Sequence, residues 1–213
     1  MALCTAGKRE YVHMRYLSSI MKLNKKIKKE LIEWSVMLTV IAVLFTTNLG
    51  TQVASFLQRG LLATGIMTPA ILDEASIKTA DYNFDLLDES GKPLAFEQFK
   101  GKTVFINFWA TWCPPCIAEM PDINDLYGNL EANEDIVFVL ISVDKSHQTA
   151  IDFVDKKAYD FPIYFLRSGL PGVYDAHAIP TTYVISPEGK IVSERHGMAQ
   201  YNSEKFRNFL TSL

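Results

Sequence analysis

Apolar positions along this chain change their period several times, and each change predicts an element. Residues 103–109 (Thr-Val-Phe-Ile-Asn-Phe-Trp) and 136–143 are almost continuously apolar, which predicts two strands covered on both faces. Between them, 114–130 reads as a helix with Pro121 inside it. A proline there lacks the backbone donor and crowds the preceding turn, so a kink is expected. Upstream, alternation over Tyr82 to Leu86, followed by the polar, Gly- and Pro-containing run from Asp88 to Leu94, predicts a strand and turn, with 96–99 a short helical turn. Downstream the pattern predicts a helix over 148–157, a short strand at 164–166, and a hairpin pairing 182–185 with 191–194 across the turn 187–190. A helix over 203–210 closes the chain. Strands and helices alternate first and a hairpin ends the series, which argues an α/β fold with a mixed central sheet and helices on both faces.

The N-terminal quarter follows another rule. No charged residue occurs between Glu33 and Arg59. An α-helix needs about 20 such residues to cross the hydrocarbon layer, so 34–57 reads as one transmembrane signal anchor. Lys8, Arg9, Arg15, Lys22, Lys25, Lys26, Lys28 and Lys29 crowd its N-terminal side, which places residues 1–33 in the cytoplasm and the remainder outside it. A cleaved signal peptide is the main alternative, although Gln52-Val53-Ala54-Ser55 matches a cleavage site poorly; a buried core helix is the other. Residues 58–80 read as a juxtamembrane linker, with Leu61, Leu62, Ile66 and Met67 expected to pack on the domain that follows, 81–213. Met21 offers a more usual start for a signal anchor than Met1.

Composition narrows the chemistry. In 213 residues, 48% hydrophobic and 12% aromatic content excludes a disordered chain, and a net charge of −3 offers no nucleic-acid footprint. There are three cysteines. Cys4 stands alone near the terminus and is read as incidental, whereas Cys113 and Cys116 form a Cys-x-x-Cys pair directly after the apolar strand 103–109. Such a pair at a helix start closes into a disulfide and reopens, and without further cysteines it cannot be half of a four-cysteine zinc site. His147, His177 and His196 are widely separated, so no metal site is expected, and no cofactor.

The run Phe108-Trp109-Ala110-Thr111-Trp112-Cys113-Pro114-Pro115-Cys116, with Ile179-Pro180-Thr181 far downstream, resembles the thioredoxin-like superfamily. It is most similar to the membrane-anchored TlpA-like and ResA-like branch, which includes the cytochrome c maturation thioredoxins. The resemblance spans about residue 81 to the C-terminus. It implies a thioredoxin-like fold, with Pro180 as a cis-proline facing the disulfide, and a domain on the periplasmic side of a bacterial inner membrane. Thioredoxin itself carries a buried aspartate where this chain has Asn107, and ResA-like proteins carry an active-site glutamate at the position of Glu119.

Physical chemistry gives these positions roles. At the start of a helix the free N–H groups and the positive dipole end favour a thiolate, so Cys113 is the expected nucleophile. Cys116, one turn in, is expected to stay protonated until it resolves the mixed disulfide. Pro114 suits the first helical turn, where its missing donor has no partner anyway. Pro115 removes one more donor near the thiolate, so the Cys113 pKa should be less depressed and the protein more reducing; a thiolate titration placing it below about 5 would contradict this. Asn107 cannot exchange protons, but Glu119 could take the Cys116 proton, or be only a solvated helix residue. Trp112 beside the nucleophile is expected on the contact surface and Trp109 in the core. Ile179 can offer its backbone to an extended peptide. Asp122 and Asp125 are expected to be solvated.

Three functions compete. The first is an extracytoplasmic thiol-disulfide oxidoreductase that reduces or exchanges protein disulfides, by the resemblance those of apocytochrome c, and takes electrons from a membrane protein. The second is a thiol peroxidase of the peroxiredoxin-like branch, although that chemistry wants Thr-x-x-Cys and a polarising arginine, and here Arg167 and Arg195 have no evident role. The third is an interaction module with a structural disulfide, whose reduction potential would fall below about −300 mV.

Overall fold

The computed structural model describes residues 25, 27–43, 49–62, 67–69 and 71–213. They divide into two compact units, Met1–Gly50 and Thr51–Leu213. The first unit contributes helix α1 (27–43), which exposes Leu31, Ile32, Trp34, Val36 and Leu38 and carries a Lys29–Glu33 ion pair one turn apart. The expected span 34–57 includes 44–48, and these lie outside the described residues, as do Cys4 and Met21. Among the described residues no helix is long and apolar enough to cross a membrane.

The second unit is built on an eight-stranded sheet of order β1-β8-β7-β4-β5-β6-β2-β3. Its strands are β1 (Lys78–Thr79), β2 (Asp85–Asp88), β3 (Pro93–Ala95), β4 (Thr103–Trp109), β5 (Ile136–Ser142), β6 (Ile163–Leu166), β7 (Thr181–Ile185) and β8 (Lys190–His196). Its helices are α2 (Leu49–Leu62), which enters the unit at Thr51, α3 (Pro114–Leu130), α4 (His147–Lys157) and α5 (Glu204–Thr211). Central β4 pairs parallel with β5 and antiparallel with β7, and β8 closes a hairpin on β7. This is the expected mixed α/β arrangement, and the fold is thioredoxin-like.

Every residue of β4 is buried, and the pleat sorts them by face. Val104, Ile106 and Phe108 join Tyr82, Phe84, Phe96, Val139, Ile141 and Tyr183 in one core layer. Phe105 and Trp109 join Met120, Ile123 and Leu126 of α3 and Phe206 and Leu210 of α5 in the other. Each such large apolar side chain contributes about 1.5–3 kcal/mol by its burial. Asn107, between Phe105 and Trp109, therefore points under α3 and has no exposure.

Two boundaries differ from expectation. The strand anticipated over 82–86 starts at Asp85, because Tyr82 and Phe84 stack on Phe96, with ring centroids 5.4 and 4.3 Å away. Aromatic burial, not ladder pairing, uses their alternation. The folded unit also begins well before Asp81. Ser55 and Leu62 of α2 are buried, Leu62 beside Ala118 and Met198 with Met67 packed against them, and β1 pairs with β8. A two-residue edge strand is too short to register as alternation.

Candidate active site

The turn between β4 and α3 is fixed by a residue that sequence reasoning passed over. Asp144, just past β5, accepts hydrogen bonds from the Thr111 backbone N–H (2.9 Å) and hydroxyl (2.7 Å) and from Ser142 Oγ (2.9 Å). Parallel pairing of β4 with β5 aligns Trp109 with Ser142, which brings Asp144 to the turn. A carboxylate just beyond the C-terminal end of the neighbouring parallel strand was the available signal.

Beyond that turn, Cys113 is the N-cap of α3 and Pro114 and Pro115 occupy its first two positions. Neither proline has an N–H, so the first backbone donor of the helix is that of Cys116, and it points at Cys113 Sγ at 3.3 Å. Cys113 and Cys116 are joined in a disulfide with Cα atoms 5.3 Å apart. Cys116 is fully buried and Cys113 nearly so at 4% exposure, while neighbouring Trp112 is 62% exposed. The Ile179–Pro180 peptide is cis, and the Ile179 carbonyl oxygen lies 3.7 Å from Cys113 Sγ. The structure thus brings together Cys113, Cys116, Pro114, Pro115, Ile179 and Pro180. Trp109 is in the core.

Below the disulfide lies a buried polar chain. Glu119, one turn after Cys116, has no exposure, so the solvated reading is excluded. Its Oε1 accepts from Asn107 Nδ2 (2.9 Å) and its Oε2 from the Ala199 backbone N–H (3.2 Å). Asn107 Nδ2 also donates to Thr182 Oγ1 (2.8 Å), which accepts from the Tyr201 hydroxyl as well (2.7 Å). Burial pushes the Glu119 carboxyl up to about 8, and nearby Asp122 adds to this; the Asn107 and Ala199 hydrogen bonds and the Arg195 charge work against it. Burial likewise raises Tyr201 well above the ordinary phenol range. Thr182 and Tyr201 carried no sequence signal, since a threonine in a strand and a tyrosine near a helix are ordinary core residues.

One of the remaining sites differs from expectation. Asp122 is not solvated: it accepts from the Tyr201 and Asn202 backbone N–H groups, and burial raises its pKa. Helix α3 runs uninterrupted through Pro121, and the Ile117 carbonyl, which loses its donor there, accepts from Arg59 Nη2 of α2 at 3.4 Å. Ser55 Oγ, one turn earlier on α2, donates to the Pro114 carbonyl at 3.1 Å. His147 stacks on Phe165, and His196 contacts Thr181 and Glu194. Among the described residues no three His, Cys, Asp or Glu side chains converge on a metal-sized site.

This geometry agrees with comparison to known proteins. The family model described as the AhpC/TSA family matches residues 77–194. The chain belongs to the AhpC/TSA family. It is similar to the thiol-disulfide oxidoreductase ResA of Bacillus thuringiensis subsp. konkukian, 31% identical over 132 residues that cover 62% of this chain and 75% of that protein. It is also similar to the ResA of Halalkalibacterium halodurans, at 36% identity over 132 residues, 60% of this chain and 73% of that one. Among solved structures, a secreted thiol-disulfide isomerase from Corynebacterium glutamicum shares the fold, with a TM-score of 0.55, 21% identity, and coverage of 68% of this chain and 93% of its own. A thiol:disulfide interchange protein of the thioredoxin family from Chlorobium tepidum matches with a TM-score of 0.50 at 25% identity, covering 68% of this chain and 96% of its own. The member described here is a thiol-disulfide oxidoreductase of thioredoxin-like fold.

Proposed function

We propose that this chain is a membrane-tethered, extracytoplasmic reductant of protein disulfides, with apocytochrome c as its client class and a membrane protein as its electron donor. The observation that carries the reductant reading is the buried Glu119 carboxylate one turn from Cys116, beneath a Cys113 that faces a single backbone donor. In the forward reaction the Cys113 thiolate attacks a substrate disulfide, forming a mixed disulfide and expelling one substrate thiolate, which takes a proton from water. Glu119 then accepts the Cys116 proton, and the Cys116 thiolate attacks Cys113 Sγ. The second substrate sulfur leaves as a thiolate and takes a proton from water, Glu119 gives up its proton to solvent, and the Cys113–Cys116 disulfide remains. Two electrons pass to the substrate, and the donor must return them. Ile179 supplies the backbone beside which an extended client strand would lie, Pro180 shapes that edge, and Trp112 offers exposed apolar contact.

The tether rests on the part of the charge-free run after Glu33 that precedes Thr51, where the folded unit begins, and on its basic flank. Replacing Cys116 by Ala stalls the cycle at the mixed disulfide, so clients captured on Cys113 in native membranes should include a protein with a Cys-x-x-Cys haem-attachment motif. Recovery of the unadorned variant with no disulfide-linked protein would sink the client assignment. The peroxidase reading is weakened by its motif: Trp112 directly precedes Cys113 where that chemistry wants Thr-x-x-Cys, and Arg167 is held by Asp85 at 3.4 Å, although Arg195, opposite Thr182 in the β7–β8 ladder, does lie near Glu119. Turnover of hydrogen peroxide with a thiol donor would restore that reading.

A further inference from the structure

The side-chain amide of Asn107 is placed between two partners whose demands change with the reaction. Its Nδ2 donates to Glu119 Oε1 at 2.9 Å and to Thr182 Oγ1 at 2.8 Å, while its Oδ1, buried in the same wall, has no hydrogen-bond partner among the described residues. This orientation suits an ionised Glu119. It does not suit the acid. Glu119 Oε2 already accepts from the Ala199 N–H, so a proton taken up by the carboxyl belongs on Oε1, facing Asn107. An O–H and an N–H would then point at each other.

We propose that Asn107 is an amide switch: when Glu119 takes the Cys116 proton, the Asn107 carboxamide turns over, so that Oδ1 accepts from the protonated Glu119 and from the Thr182 hydroxyl. This rests on Glu119 being the proton acceptor of the proposed cycle. The hydrogen count supports it. With Glu119 ionised, Thr182 Oγ1 accepts from both Asn107 and Tyr201, which leaves its own hydrogen without an acceptor in the network. After the turn Tyr201 still donates to Thr182, Thr182 donates to Asn107, and Glu119 donates to Asn107. The amide nitrogen then takes over the unpartnered place that Oδ1 held. Each orientation leaves one end of the amide unsatisfied, so neither is favoured by contacts alone and the proton decides. No bond to Asn107 hydrogen breaks; the residue positions the proton and does not carry it. The charged and titratable groups around Glu119 are Cys116 and Asp122 on α3, Arg195 on β8 and Tyr201 after β8.

The test is side-chain amide NMR of Asn107 in the reduced protein, beside the Glu119 carboxyl carbon, across the titration of that carboxyl. The two signals should titrate with one midpoint. In Glu119→Gln the new amide can donate to Oδ1 at every pH, so the Asn107 signals should stay at their low-pH position. Asn107→Leu removes a donor to the ionised form and should raise the Glu119 midpoint by about one pH unit, a tenfold change in proton affinity. Asn107→Ser, which keeps a hydroxyl able to donate or accept, should restore part of that shift if the larger variant folds poorly. Asn107 signals that stay fixed while Glu119 titrates would overturn the switch. A Glu119 that does not titrate between about pH 6 and about pH 10 would instead overturn the proton-acceptor reading on which it rests.

Discussion

The two faces of β4 are equally buried, yet they carry opposite chemistry. On one, Val104, Ile106 and Phe108 meet an aromatic cluster around Phe84 and Phe96. On the other, Asn107 interrupts the apolar run between Phe105 and Trp109 and links Glu119, Thr182 and, through it, Tyr201 beneath the disulfide. A buried carboxyl destabilises a fold unless its partners are in place, so its position under α3 marks where the chain exchanges protons. The aromatic face supplies stability and the polar face chemistry, and that division can be broken from either side.

The largest effect is expected from Cys113→Ser, which removes the nucleophile and should abolish disulfide exchange in an insulin-type reduction assay while leaving the circular dichroism unchanged. Glu119→Gln should slow exchange roughly a hundredfold at neutral pH, the usual size of one general acid-base contribution. The same variant has a signed effect on stability. Burial pushes the folded carboxyl up to about 8 from its ordinary value of 4.5, so from about pH 4.5 the unfolded chain ionises while the folded one holds its proton. Stability contributed by this group therefore falls as pH rises through that window and levels off above about 8. Denaturant titrations should show Glu119→Gln gaining on the wild type as pH rises from about 4.5 to about 8, with no further gain above it.

From the aromatic side, Phe96→Ala should cost about 3–5 kcal/mol in urea unfolding, since Phe96 is fully buried and stacks on both Tyr82 and Phe84. Exchange per folded molecule and its pH profile should not change; a shifted profile would break the division between faces. The smallest effect belongs to Arg59→Ala, which removes a long hydrogen bond to the Ile117 carbonyl and should cost about 1 kcal/mol or less. Its test is whether Cys113 reactivity toward an alkylating reagent shifts as the α2 contact is lost.

What the sequence revealed follows from the range of the interactions. The strands 103–109 and 136–142, the hairpin of β7 and β8, and the cysteine pair at a helix start are local patterns, and all were readable. The cis peptide at Pro180 was implied by resemblance alone, because composition does not distinguish isomers. Glu119 was singled out by its place in the family motif, but its burial comes from β4 and the segment after β8, 12 and 80 residues away in sequence. Asp144 and Thr182 enter the site only through strand register, while Tyr201 enters it and Asp122 leaves the solvent because the chain between β8 and α5 folds back onto α3. The Ser55 and Arg59 contacts were hidden for a related reason, since they lie in the stretch read as membrane span and linker.

The central claim is that Glu119 receives the Cys116 proton during resolution, and single-turnover kinetics address it most directly. The reduced protein mixed with an aromatic disulfide releases one chromophoric thiol as Cys113 attacks and a second as Cys116 resolves. The rate of the second release should rise with a midpoint near the Glu119 value of about 8, and in Glu119→Gln it should be slower with its rise displaced to higher pH. An identical rate and midpoint in the two proteins would contradict the account.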